Sequence, residues 1–189
     1  FGLCSAGDRI VAQDSMFSAT AQLLARTCPR FGIEVDFVDA FDAEALAAAV
    51  TAKPTQLVWV ETPANPVMGI VDLEAVGALR GPFTVVDSTM ATPAVQNPHD
   101  FGAHLVVHSA TKGIAGHNDA LLGVATGERE LIDVLWGHHV LHGAVASPFD
   151  AFLGLRGVRS LHARMRQQAE TAQALAERLD EHPGVVRVL

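Results

Sequence analysis

Short apolar runs alternate with stretches of helical periodicity along most of this chain. Residues 8–14 (DRIVAQD), 35–39 (VDFVD), 56–61 (QLVWVE), 83–88 (FTVVDS), 104–109 (HLVVHS) and 121–126 (LLGVAT) are rich in β-branched side chains and bounded by turn residues. That is the pattern of strands buried on both faces. Helix candidates lie between them at 17–28, at 42–51 with Asp42 as cap, and at 72–80 with Asp72 as cap. Such alternation predicts an α/β fold, a mostly parallel sheet sandwiched by helices, with ligands at the carboxyl ends of the strands. Beyond about residue 128 the pattern turns helical, at 128–141, 149–156 and a long 158–181 that Pro183-Gly184 ends. VVRVL (185–189) then reads as the start of another strand, and FGLCSAGD (1–8) as the tail of a helix. Ends of this kind predict the middle of a larger protein.

Composition narrows the class. With 189 residues, 49% of them hydrophobic, the chain can bury one sizeable core. A net charge of −8 argues against nucleic acid or an anionic membrane as partner. No apolar run reaches the roughly 18 residues of a membrane span, and the first residues carry no signal-type pattern. Two cysteines, Cys4 and Cys28, make no disulfide framework and read as small core hydrophobes in a reducing, cytoplasmic setting.

The chemistry-bearing residues cluster at strand ends. ETPAN (61–65) follows the third strand, Asp87 ends the fourth, and SATK (109–112) follows the fifth. An aspartate at the end of an apolar strand is costly to bury unless a cation or donors meet it. A crossover separates it from Lys112 on the neighbouring strand's end. An Asp for a pyridinium nitrogen and a Lys for a covalent link are the protein's recurring contribution to pyridoxal phosphate chemistry. The hydroxyls of Ser109 and Thr111 could face a phosphate. Taken singly, each has a plainer reading: SATK is a common tetrapeptide, Asp87 a turn former or cap, and Asn65 between two prolines a turn residue. Their placement at successive ends of one sheet favours a shared site.

VETPANPVMGIVDLEAV, VVDSTMATPAVQNP, GAHLVVHSATKGIAGHND and SPFDAFLGLRGVRSLHARM, in this order, resemble the signature stretches of the Cys/Met-metabolism pyridoxal-phosphate enzymes. That family includes cystathionine γ-synthases and γ-lyases, methionine γ-lyases and O-acyl-homoserine sulfhydrylases. The resemblance implies an aspartate-aminotransferase-like (type I) fold. It makes residues 1–157 the cofactor-binding large domain and 158–189 a linking helix with the start of a small C-terminal domain. It also implies pyridoxal 5'-phosphate on Lys112, Asp87 at the pyridine nitrogen, Ser109 and Thr111 at the phosphate, Asn65 at the phenolic oxygen, and Phe17 stacked on the ring. Lys112 and Asp87 would be the catalytic pair, acting on a small amino-acid substrate by γ-replacement or γ-elimination within a homodimer or homotetramer. The family's glycine-containing phosphate loop would precede Phe1, and its substrate-carboxylate arginine would follow Leu189.

Departures from the family pattern are specific. Phe17 stands where a tyrosine is usual, and the chain has no tyrosine at all. Ala19 occupies the place of a cysteine typical of methionine γ-lyases. Gly113 replaces an aromatic residue, and Ser88 and Met90 replace Asn and Phe. These changes leave open a non-catalytic relative that serves as an assembly or binding partner. A metal hydrolase built on the nine histidines is a weaker alternative, because His138 and His142 form a one-turn pair without a third ligand of convincing spacing. His117 and Asp119 read as supporting residues and His108 as a satisfied core histidine. Arg156, Arg159, Arg164 and Arg166 read as a solvated basic helix face, with Glu170 placed to pair with Arg166.

Overall fold

A computed structural model describes residues 1–188. Six strands form one sheet: β1 (Arg9–Gln13), β2 (Glu34–Val38), β3 (Leu57–Glu61), β4 (Phe83–Asp87), β5 (Leu105–Ser109) and β6 (Gly123–Gly127). Their order is β2-β1-β3-β4-β5-β6; the first five are parallel and β6 runs antiparallel to β5. Helices α1 (Ser18–Gln22), α2 (Ala43–Ala52) and α3 (Leu73–Ala78) lie in the crossovers, and α4 (Arg129–His142), α5 (Pro148–Val158) and α6 (Leu161–Asp180) follow the sheet.

Alternation along the strands sends side chains to two separate cores. Val11, Val58, Val60, Val86 and Val106 pack on Leu46 and Val50 of α2 and on Leu73 and Val76 of α3. Ile10, Ala12, Leu57, Val85 and Leu105 face the other way, onto Leu24, Cys28 and Ile33, with Leu131, Ile132 and Leu135 of α4 against them. Each fully buried valine or leucine contributes about 1.5–3 kcal/mol, so both faces hold the sheet. The clearest exception to two-sided burial is β6, which pairs only with β5 and is exposed at four of its five positions.

Asp42 and Asp72 cap α2 and α3 as expected, each carboxylate accepting two backbone N–H bonds at 2.9–3.1 Å. The segment read as one helix over 17–28 differs. After α1 the chain widens to a π-turn at Leu23–Thr27 and tightens to a 3-10 turn at Cys28–Phe31. Pro29 offers no N–H to continue an α-helix, and Gly32 closes the turn at a left-handed φ of 73°. Residues 1–8 carry no helix; the Gly7 N–H bonds the Gly32 carbonyl, and Leu3 and Cys4 lean on the second core. Residues 185–188 pair with no strand, and Leu189 lies outside the described residues. No helix among the described residues is long and apolar enough to cross a membrane.

Candidate active site

The strand order reverses direction between β1 and β3: the chain leaves β1 toward β2, then crosses back to β3. Crevices at such switch points are where open α/β sheets bind ligands. Phe17 follows β1 there and Asn65 follows β3, and Glu61 joins them. Its Oε2 accepts the Phe17 N–H at 2.9 Å and its Oε1 accepts the Asn65 N–H at 2.6 Å. Glu61 is only 4% exposed. Burial pushes its carboxyl above the usual carboxylate value, against the pull of those two N–H groups, and nearby Asp87 adds to the rise. Gln13, fully buried at the end of β1, accepts the Glu61 N–H at 2.9 Å and fixes the two strand ends together.

One strand further along, Asp87 sits in register with Glu61 on one side and with Val107 on the other. Its Oδ1 accepts the Thr89 N–H at 2.9 Å, and the Thr89 hydroxyl oxygen accepts the Ser109 N–H at 2.7 Å. The end of β4 is thereby tied to the end of β5. His108, 6% exposed, turns Nδ1 to the Ser88 carbonyl at 3.0 Å. Burial holds its pKa below the ordinary histidine value, which fits a neutral core histidine.

Lys112 follows in a tight turn: its N–H bonds Ser109 O at 3.0 Å, and its carbonyl accepts the Gly116 N–H at 2.8 Å. The side chain is exposed. Thr111 and Ser109 border an open cleft of about 830 Å³ beside β6 and α4, with Trp136 and His139 among its walls. Thr111 donates its hydroxyl to Leu122 O at 3.2 Å and accepts the Leu122 N–H at 3.0 Å.

These groups match what a pyridine ring with a phosphate needs. Asp87 Oδ2, the Ser109 hydroxyl, the Asn65 amide and Lys112 Nζ make no hydrogen bond among the described residues, and Phe17 is 46% exposed. A carboxylate, an amine, an aromatic face and a hydroxyl thus lie at the carboxyl ends of the parallel strands β1, β4 and β5. Thr111 is the exception, since its hydroxyl already closes the turn onto Leu122. The set fits pyridoxal phosphate, and Ser109 keeps a free hydroxyl for an anion while Thr111 Oγ1 is held by Leu122.

Thr89 and Glu61 are the residues whose parts sequence reading does not assign; Glu61 stands out only as a carboxylate ending an apolar strand. Other residues separate from the site. His138 and His142 stack at 3.9 Å between ring centroids, with His142 Nδ1 on the His138 carbonyl. His117 and Asp119 are exposed, and His117 Nδ1 bonds the Ala115 carbonyl at 2.7 Å. Arg166 forms no ion pair with Glu170 among the described residues; the one ion pair within a helix is Arg129–Asp133 at 3.6 Å.

Comparison with known proteins adds an independent line. The profile of the family described as Cys/Met metabolism PLP-dependent enzyme matches residues 1–189. Cystathionine gamma-lyase of Dictyostelium discoideum is 41% identical over 99% of this chain and 49% of its own length. Cystathionine beta-lyase MetC of Bacillus subtilis is 40% identical over 100% of the chain and 49% of its own. Among solved structures, metB from Corynebacterium glutamicum superposes with a TM-score of 0.92 at 38% identity, covering 98% of this chain and 49% of that one. The chain spans about half the length of these relatives.

Proposed function

The chain belongs to the Cys/Met metabolism PLP-dependent enzyme family, and from that premise we propose that it holds the cofactor of an enzyme acting on a sulfur amino acid or its precursor. The observation that supports this reading is that Asp87, Lys112, Ser109 and Asn65 all lie at the carboxyl end of the sheet, on β3, β4 and β5 or just after them, with side-chain polar atoms that make no hydrogen bond among the described residues. Pyridoxal 5'-phosphate supplies the electron sink that lets protons leave the carbons of a bound amino acid. Lys112 would hold it and is the amine that would carry the α-proton. Asp87 would keep the ring nitrogen protonated, Asn65 would orient the phenolic oxygen, Ser109 would bind the phosphate and Phe17 would cover a ring face. Residues 1–157 form the cofactor-holding part in this reading, and α6 leads out of it.

Phe17 carries no phenol. Proton transfer at the leaving group would then fall to Lys112. γ-Replacement and γ-elimination use the same residues here. The substrate is a small amino acid, and the enzyme is a cytoplasmic homodimer or homotetramer in this proposal. The exposed apolar side chains Trp136, Phe149, Phe152 and Leu155 support association, and two unpaired cysteines suit a reducing compartment. A non-catalytic relative is the second reading, favoured by Phe17 and by the internally bonded Thr111 hydroxyl.

The test is an absorption spectrum of the full-length protein with pyridoxal phosphate, then borohydride reduction and peptide mapping. A visible band with the label on Lys112, absent in Lys112→Ala, is expected. A labelled protein inert toward every sulfur amino acid and activated homoserine tried would leave the non-catalytic reading standing. An unlabelled Lys112 would sink the cofactor assignment itself.

A further inference from the structure

The turn that carries Lys112 is gripped from outside the sheet. Arg164, in the first turn of α6, reaches back across some fifty residues of sequence. Its Nη1 donates to Gly113 O at 2.6 Å, and its Nη2 donates to Ile114 O at 3.1 Å and to Gly157 O at 2.8 Å. Nε donates to the Ser160 hydroxyl at 3.0 Å. All four contacts are neutral oxygens, and no carboxylate pairs with Arg164 among the described residues. A solvated surface arginine has no reason to take this pose, because three carbonyls converging on one guanidinium must first be brought together.

The surroundings are shaped to the same end. A Cβ on Gly116 would fall 2.0 Å from Arg164 Nη1, and one on Gly157 would fall 2.3 Å from Ala115 O. Gly116 thus leaves room for the guanidinium, and Gly157 lets α5 press backbone to backbone on the residues after the lysine. Ile114 and Ala110 are buried against Leu161 of α6, with Met165 and Leu122 packed alongside. Lys112 itself has only its backbone fixed locally, by Ser109 and Gly116. We propose that Arg164 is a positioning residue for Lys112: its guanidinium binds the carbonyls of the two residues after the lysine to the α5–α6 junction, and so sets where the amine meets the cofactor.

This inference rests on the proposed function, and its test separates the two. In the full-length protein, Arg164→Met and Arg164→Lys are compared with wild type and with Arg166→Met, an exposed arginine on the same helix. Three readouts are taken: cofactor dissociation, visible circular dichroism per bound cofactor, and unfolding temperature. Arg164→Met should release cofactor about tenfold more readily, as expected for lost charge-assisted hydrogen bonds, and should change the visible dichroism of what stays bound. Arg164→Lys keeps the charge but cannot span three carbonyls, so it should restore only part of both. Arg166→Met should match wild type. A lower unfolding temperature with cofactor retention and dichroism unchanged would make Arg164 merely structural and overturn the proposal. Full rescue by lysine would overturn the geometric claim. If Arg164→Met does not fold, the Arg164→Lys readouts decide by the same criteria. Wild-type protein that fails to carry the label on Lys112 would instead defeat the functional reading, and the positioning role with it.

Discussion

Glu61 shows how much one side chain can couple. It bonds the loops bearing Phe17 and Asn65 at once, and a glutamine could serve only one of those N–H groups with its single oxygen. Glu61→Gln should therefore loosen both loops and weaken cofactor retention several-fold, measured by titration of the visible band. The acid form of Glu61 is favoured by folding, since its carboxyl is raised above the ordinary value of 4.5. Its contribution to stability is complete below that ordinary value and declines as pH rises through the folded-state value. Wild type should thus lose stability relative to Glu61→Gln as pH rises above about 4.5, levelling once the residue is ionised in both states. Urea unfolding at a series of pH values would register this, and a difference independent of pH would refute it. Asp87 stands out as a candidate because it ends an apolar strand, and Lys112 because it follows the neighbouring one, whereas Asn65 reads as a turn residue until the family resemblance gives it a part. Arg164 was not legible: in sequence it is one of four arginines spaced along helices, and its carbonyl partners lie on a turn no periodicity connects to it.

Elements were legible where a local cause sufficed. The two-faced valine runs foretold β1 to β5 within a few residues, and Asp42 and Asp72 marked helix starts because a cap acts within one turn. Asp72→Ala should cost about 1 kcal/mol in denaturant unfolding, with α3 fraying first by hydrogen exchange. The helix read over 17–28 failed because Pro29 and Gly32 act together there, and the edge strand β6 carries the same composition as buried strands without their second neighbour. The close approach of α5 to the Lys112 turn rests on contact between backbones, which side-chain patterns do not record. Gly157→Ala should push these apart and destabilise the chain by about 1–3 kcal/mol. The same change at Gly137, where nothing lies within 4 Å, should be neutral or slightly stabilising, since alanine is the better helix former.

At the scale of the whole molecule, α4 and α5 leave Trp136, Val140, Leu141, Phe149, Phe152 and Leu155 on the surface. Patches of this kind drive association. The 189-residue chain alone should sediment as more than a monomer at micromolar concentration, and Phe152→Lys with Trp136→Lys should shift it toward the monomer. Strand pairing has a consequence of another sort. Arg9 pairs with Glu34, Ile10 with Leu57, Phe83 with Leu57 and Leu105 with Val85, so each ladder joins segments far apart along the chain. Closing such loops is slow compared with winding helices. Phe17, Asn65 and Lys112 follow three different strands and Asp87 ends a fourth, so they can come to one end of the sheet only after all four have zipped. In a refolding experiment helical signal should return first, and competence to capture pyridoxal phosphate last.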